Sequence, residues 1–180
     1  DLHRRRHSFP TRRSSDLFVD ADHAIEERLG CSIKDYFAEH GEAAFREIEA
    51  QVLRTLLQAP QPTVIATGGG AVLRSANRAL IRTAAQVFYL RATPDEIWRR
   101  VRHDTKRPLL QVTNPLQRLR DLYAVRDPLY RASSHYVIET GRPSVPALVN
   151  MVLMQLELAG LVDPQRVPSP IGGGVPDRRA

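Results

Sequence analysis

Three compact apolar runs constrain this chain most: TVIAT at 63–67, QVFYLRA at 86–92 and HYVIET at 135–140, each giving way within a few residues to a helical pattern. Phe18-Val19-Asp20 reads as the end of a fourth strand, again followed at once by a helix-like run. Strands alternating with helices specify an α/β fold, a parallel sheet with helices on both faces. Such folds take ligands at the carboxyl ends of their strands. Two unusual sequences stand at those ends, the Asp20-Ala21-Asp22 triplet and the Gly68-Gly69-Gly70 run.

The helices are legible from spacing and punctuation. Asp22 to Leu29 is predicted as a helix with Asp22 as N-cap and Gly30 as C-cap. SIKDYFAEHG predicts a short second helix closed by Gly41. In EAAFREIEAQVLRTLLQ, residues Ala44, Phe45, Ile48, Val52, Leu53, Leu56 and Leu57 recur at helical spacing. SANRALIRTA reads as a helix, and Pro94 opens another in PDEIWRRVRH. DTKRPLLQVTNP is a polar, proline-broken loop. LQRLRDLYAVRDPLY is a helix expected to end near Pro128, and SVPALVNMVLMQLEL a final amphipathic one. Past Gly160 the composition turns to Pro, Gly and charge, which predicts a disordered tail over 161–180.

Composition excludes several classes. With 42% hydrophobic residues in 180, the chain has enough apolar side chains for one globular core, and no apolar run reaches the length of a membrane span. Its single cysteine, Cys31, rules out an internal disulfide framework and fits a reducing cytoplasm. The net charge is +6, but residues 1–17 hold five arginines and two aspartates, so half of the excess lies there. A nucleic-acid partner is therefore not indicated. Arginines near a cleft suit phosphate or carboxylate ligands equally well. Those first seventeen residues have neither apolar periodicity nor a signal-peptide core. His7 to Leu17, HSFPTRRSSDL, reads as the translation of a common sequencing-library adapter. The expectation is that the biological sequence starts near Phe18 and that its own N-terminus is missing.

The remaining motifs each admit a simple structural reading and a chemical one. The glycines at 68–70 make a tight strand-to-helix turn, or let the backbone approach a ligand and offer it N–H groups. Asp22 caps a helix, or accepts a hydroxyl proton while Asp20 holds Mg²⁺ through water. Arg46 and Glu49, at i and i+3, make a surface pair, or a guanidinium aimed at a carboxylate and oriented by Glu49. Arg107 in KRPLL is a solvated charge, or a lid arginine that closes on a transferring phosphate. Arg126 precedes Pro128 as surface charge or as a second ligand-binding arginine. His23, His40, His103 and His135 lack metal-ligand spacing.

In order along the chain, D-x-D, F-R-x-x-E, T-G-G-G, R-P-L-L and R-x-P-L-Y closely resemble shikimate kinase, from Phe18 to about Gly160. The resemblance implies a P-loop kinase fold and transfer of the ATP γ-phosphate to the 3-hydroxyl of shikimate, with Mg²⁺, in aromatic amino-acid biosynthesis. It implies Asp22 on the reacting hydroxyl and Asp20 near Mg²⁺. Arg46 and Arg126 match the arginines on the shikimate carboxylate, with Gly68, Gly69 and Gly70 on the substrate side. Arg107 matches the lid arginine on the phosphates, and Arg142 is a candidate for the adenine side. The partners implied are shikimate and ATP, without nucleic acid or membrane, and the intact family member is expected to be a monomer.

One departure is large. The family carries a Walker A loop, G-x-x-x-x-G-K-S/T, after its first strand, and no such sequence occurs in these 180 residues. Its place is upstream of Phe18. The expectation is therefore a family member whose central first strand and P-loop are absent, inactive as it stands, with an interrupted sheet. Two alternatives remain at this point: a shikimate kinase-like module that binds a small carboxylate for regulation, and another small-molecule P-loop kinase such as a gluconate kinase. Paired Arg46 and Arg126 favour a ligand with a carboxylate-bearing ring.

Overall fold

The computed structural model describes residues 18–102 and 112–162. The adapter-like segment, Arg107 and nearly all of the C-terminal tail lie outside the described residues. A boundary at Ala85/Gln86 separates two compact units.

The first unit contains β1 (Phe18–Asp20), α1 (Ala21–Leu29), α2 (Ile33–Leu57), β2 (Val64–Ala66) and α3 (Ser75–Ala84). β1 and β2 are parallel, with Phe18 opposite Val64, Val19 opposite Ile65 and Asp20 opposite Ala66. Both strands thus end at the same level, and the residues that follow them, Asp22 and Gly68, emerge on one rim. Ala21, Ala24 and Ile25 of α1 recur at helical spacing and pack with Phe45, Val52 and Leu56 of α2. Val19 and Ile65 lie against this cluster from the strands. Fully burying a side chain the size of Ile25 or Val52 contributes roughly 1.5–3 kcal/mol. Ser32 caps α2. Gly41, predicted as a helix end, has φ 78° and ψ 176° inside α2 and breaks it into two helical segments.

One boundary differs from expectation. The side chain that caps α1 belongs to Asp20, whose Oδ1 accepts from the N–H of Asp22 at 2.9 Å and of His23 at 3.4 Å. Asp22 lies inside the first turn. The helix therefore starts earlier than the Asp22 cap required, because β1 ends at Asp20 and leaves that residue extended, as an N-cap must be. Gly30 closes the helix in the left-handed region, as predicted.

The second unit contains β3 (Phe88–Arg91), α4 (Pro94–Val101), α5 (Pro115–Ser133), β4 (Tyr136–Glu139) and α6 (Val145–Leu158). β3 and β4 are parallel, with Arg91 opposite Glu139 and paired to it at 2.7 Å. Phe88 and Tyr136, also opposite one another, stack at 4.8 Å. The described strands thus form two two-stranded sheets, and β2 pairs with β1 while β3 pairs with β4. Thr93 and Glu96 form a capping box ahead of α4.

Helix α5 runs past Pro128 to Ser133 rather than ending there. Proline removes one helical N–H, but contacts across it hold the last turn. Asp127 bonds Arg131 at 2.8 Å and the Tyr89 hydroxyl at 3.0 Å, and the Tyr130 ring lies 4.9 Å from that of Tyr89. Arg91 joins the same carboxylate at 3.2 Å, so Asp127 ties α5 to β3.

Candidate functional site

At the strand-end rim of the first unit, four residues predicted from sequence come together. A Cβ added to Gly68 would stand 2.5 Å from Asp22 Oδ1, and one added to Gly70 would stand 2.6 Å from Arg46 Cζ. Neither glycine has a positive φ. What they provide is clearance: the turn passes so close to the Asp22 carboxylate and the Arg46 guanidinium that a side chain on either glycine would displace them. Gly69 lies between them, on the exposed face of the turn. Hydrogen bonds from Ala71 N–H to the Gly68 carbonyl and from Leu73 N–H to the Gly70 carbonyl set the turn.

Arg46 is fixed on three sides. Its Nη1 donates to Glu49 at 2.8 Å, and its Nε and Nη2 donate to Glu42 at 3.2 and 3.1 Å. Its guanidinium lies 5.2 Å from the centre of the Phe45 ring and 5.9 Å from that of Phe37. Burial works against its charge, but the bonds and charges of Glu49 and Glu42 outweigh it and raise its pKa. The i, i+3 pair is therefore no loose surface contact, since Glu49 is only 5% exposed. Glu42, one turn earlier, was legible as an i, i+4 partner but was not singled out from the sequence.

Asp22 is the acid of this rim, and its pKa is raised. Lost hydration is the main cause, the charges of Asp20 and Glu26 add to it, and Arg46 pulls the other way. A carboxylate so raised binds a proton more readily than an ordinary aspartate, as a proton acceptor requires. Asp20 uses Oδ1 for its capping bonds. The other oxygen of this exposed carboxylate suits a hard cation. No cluster of three or more His, Cys, Asp or Glu occurs among the described residues. Mg²⁺ needs no such cluster, because it keeps several waters and shares substrate phosphates, and one carboxylate fits it.

Three further side chains hold the turn, and no sequence pattern marked them. Asn77, 2% exposed, donates to the Ala71 carbonyl at 3.1 Å. Arg78 donates to the carbonyls of Val72 and Leu73 at 2.8 and 3.1 Å. Arg74 reaches the Arg46 carbonyl at 3.1 Å and Glu47 at 2.7 Å.

Arg126 and Arg142 belong to the second unit. Arg126 lies half-buried on α5 and makes no ion pair among the described residues. Arg142 is exposed in the bend between β4 and α6. Arg100 of α4 donates to the Thr140 carbonyl, and Thr140 bonds the Arg91 carbonyl through both its N–H and its hydroxyl, which fixes the start of that bend. Arg107 lies outside the described residues.

Parallel strands whose carboxyl ends present an acid and a glycine turn, with an anchored arginine of α2 against that turn, define an α/β protein with its candidate site at the strand ends. Comparison with known proteins makes this specific. The shikimate kinase family model matches residues 12–157. The shikimate kinase of Ralstonia nicotianae is 54% identical over 153 residues, covering 85% of this chain and 80% of that protein. That of Burkholderia pseudomallei is 54% identical over 151 residues, covering 84% and 82%. Among solved structures, the shikimate kinase of Acinetobacter baumannii in complex with shikimate superposes with a TM-score of 0.73 at 40% identity, covering 82% of each chain. The Aquifex aeolicus enzyme gives 0.67 at 28% identity, covering 81% and 84%. The chain belongs to the shikimate kinase family.

Proposed function

We propose that in this shikimate kinase the rim of the first unit binds shikimate and accepts the proton of its reacting hydroxyl. The observation that carries the proposal is the placement of Asp22 over Gly68 and of Arg46 over Gly70 on one rim, in a chain of this family. The substrate hydroxyl oxygen attacks the γ-phosphorus of ATP, the bond to the β-phosphate oxygen breaks, ADP leaves, and the hydroxyl proton passes to Asp22. Arg46 and Arg126 bind the carboxylate by charge-assisted hydrogen bonds. The glycine turn lets the Asp22 carboxylate and the Arg46 guanidinium lie against its backbone. Arg107 is assigned to the transferring phosphate, Arg142 to the adenine side and Asp20 to Mg²⁺, which would neutralise phosphate charge.

The family match crosses the Ala85/Gln86 boundary, which supports reading residues 18–160 as one domain. No helix among the described residues is long and apolar enough to cross a membrane, and Cys31 is free and exposed. We place the protein in the cytoplasm, acting on small molecules, with the intact family member a monomer.

A second reading, binding of shikimate without phosphotransfer, is favoured by one fact: these 180 residues contain no G-x-x-x-x-G-K-S/T sequence. Two measurements separate the readings. Shikimate is titrated into the chain by calorimetry, and ATP-dependent phosphorylation is assayed with and without a Walker A segment joined ahead of Phe18. Turnover that appears with the segment and is lost on Asp22→Asn supports phosphotransfer. Binding without turnover in either form supports the binding module. No binding of shikimate in either form would sink both.

A further inference from the structure

Arg74 ends the glycine turn and precedes α3, yet its guanidinium reaches back to α2. Nη1 donates to the backbone carbonyl of Arg46 itself at 3.1 Å and to Glu47 at 2.7 Å. The rest of the turn is tied to α3 by Asn77 and Arg78. The turn is therefore held from two sides, to α3 by two side chains and to α2 by Arg74 at the residue that presents the functional guanidinium. The distance set this way is tight, because Gly70 approaches Arg46 so closely that a single added carbon would overlap its guanidinium. We propose that Arg74 is a positioning residue for the carboxylate site: it sets the register between the Gly70 turn and Arg46, and so aims the Arg46 guanidinium at the ligand carboxylate.

The inference rests on the reading of Arg46 as the carboxylate ligand. It also separates from a stabilising role. The Arg74–Glu47 pair is exposed, with 39% and 59% of the side chains accessible, and pairs of that kind add little to stability. Loss of Arg74 should thus leave folding nearly unchanged while loosening the turn against α2. A misplacement of a fraction of an ångström is enough to weaken a charge-assisted bond whose geometry must be right.

The test is equilibrium binding of shikimate and of its methyl ester to the full chain by calorimetry, with thermal melting alongside, for wild type, Arg74→Ala, Arg74→Lys and Arg46→Ala. Arg74→Ala should weaken shikimate binding roughly three- to tenfold, shrink the preference for the acid over the ester, and leave the melting midpoint near that of wild type. Arg74→Lys should recover part of the preference, since an ammonium can still reach one of the two acceptors. If Arg46→Ala loses the acid preference and Arg74→Ala keeps it, the positioning role is wrong and the carboxylate site stands. An equal loss for acid and ester also overturns it, because that marks a general disturbance. If Arg46→Ala and Arg74→Ala both bind as wild type does, the reading of Arg46 falls and this inference with it.

Discussion

Asp22 and Gly70 carry opposite demands at the scale of single residues. Folding raises the Asp22 pKa, chiefly through lost hydration, with help from Asp20 and Glu26. An acid raised in this way contributes stability below the ordinary carboxylate range, and that contribution is lost as the pH rises through the raised pKa. At neutral pH its charge is thus a small burden on the fold. Asp22→Asn should melt at or slightly above wild type at pH 7, while phosphorylation in a Walker A-bearing form falls by roughly a hundredfold or more. A clear drop in the melting midpoint would contradict the assignment. Gly70→Ala acts differently. Its new carbon meets the terminal guanidinium of Arg46 and no backbone, so the guanidinium must shift against Glu49 and Glu42 while the chain path is kept. Shikimate affinity should fall about tenfold, with the melt lowered as far as the Arg46–Glu49 pair is disturbed, and an affinity equal to wild type would show that Arg46 binds nothing there.

At the scale of elements, two helices depend on features that propensity alone disfavours. Gly41 holds α2 in a backbone conformation that is essentially restricted to glycine. Gly41→Ala should destabilise by roughly 1–3 kcal/mol, read from urea unfolding; nothing crowds a Cβ there, so the cost is purely conformational. In α5, Asp127 bonds Tyr89, Arg91 and Arg131 around Pro128. Burial raises its pKa, but these hydrogen bonds outweigh it and leave the value lowered. A lowered carboxylate contributes stability that is present above about pH 4 and is lost as the pH falls through the folded value. Asp127→Asn should therefore cost roughly 1–3 kcal/mol at pH 7. The gap to wild type should close on acidification below pH 4, and a gap independent of pH would exclude the charge as its source.

At the scale of the whole molecule, the strands are less covered than their composition suggests. Phe18 and Val64, paired across β1 and β2, are 61% and 64% exposed, and Leu90 and Val137 of the other sheet are exposed as well. Compact apolar strands of a parallel sheet are ordinarily buried on both faces. The expected consequence is association at high concentration, visible as a light-scattering mass that rises with concentration; a constant monomer mass would contradict it. The 180 residues alone should also show no ATP-dependent phosphorylation above a no-enzyme control, since no lysine-bearing phosphate loop lies among them. Turnover in that assay would show that other residues hold the phosphates.

The sequence by itself determined the order and type of the elements, because periodicity and punctuation are local. The apolar faces of Ala44 to Leu57, the break at Gly41 and the cap at Gly30 needed only near neighbours to be read. It also set DAD and GGG at strand ends, which put Asp22, Arg46 and the glycines on the candidate list. Only the tertiary structure decided which aspartate caps α1, since both are able to, and the extent of β1 selects Asp20. The passage of α5 through Pro128 was equally illegible, because Asp127 is held by residues 38 and 36 positions away. The same holds for Arg74, Asn77 and Arg78. Each donates to backbone carbonyls, which every residue carries, and the one side-chain acceptor, Glu47 for Arg74, lies 27 positions away, so no local pattern marks the partner and only the folded chain brings donor and acceptor together.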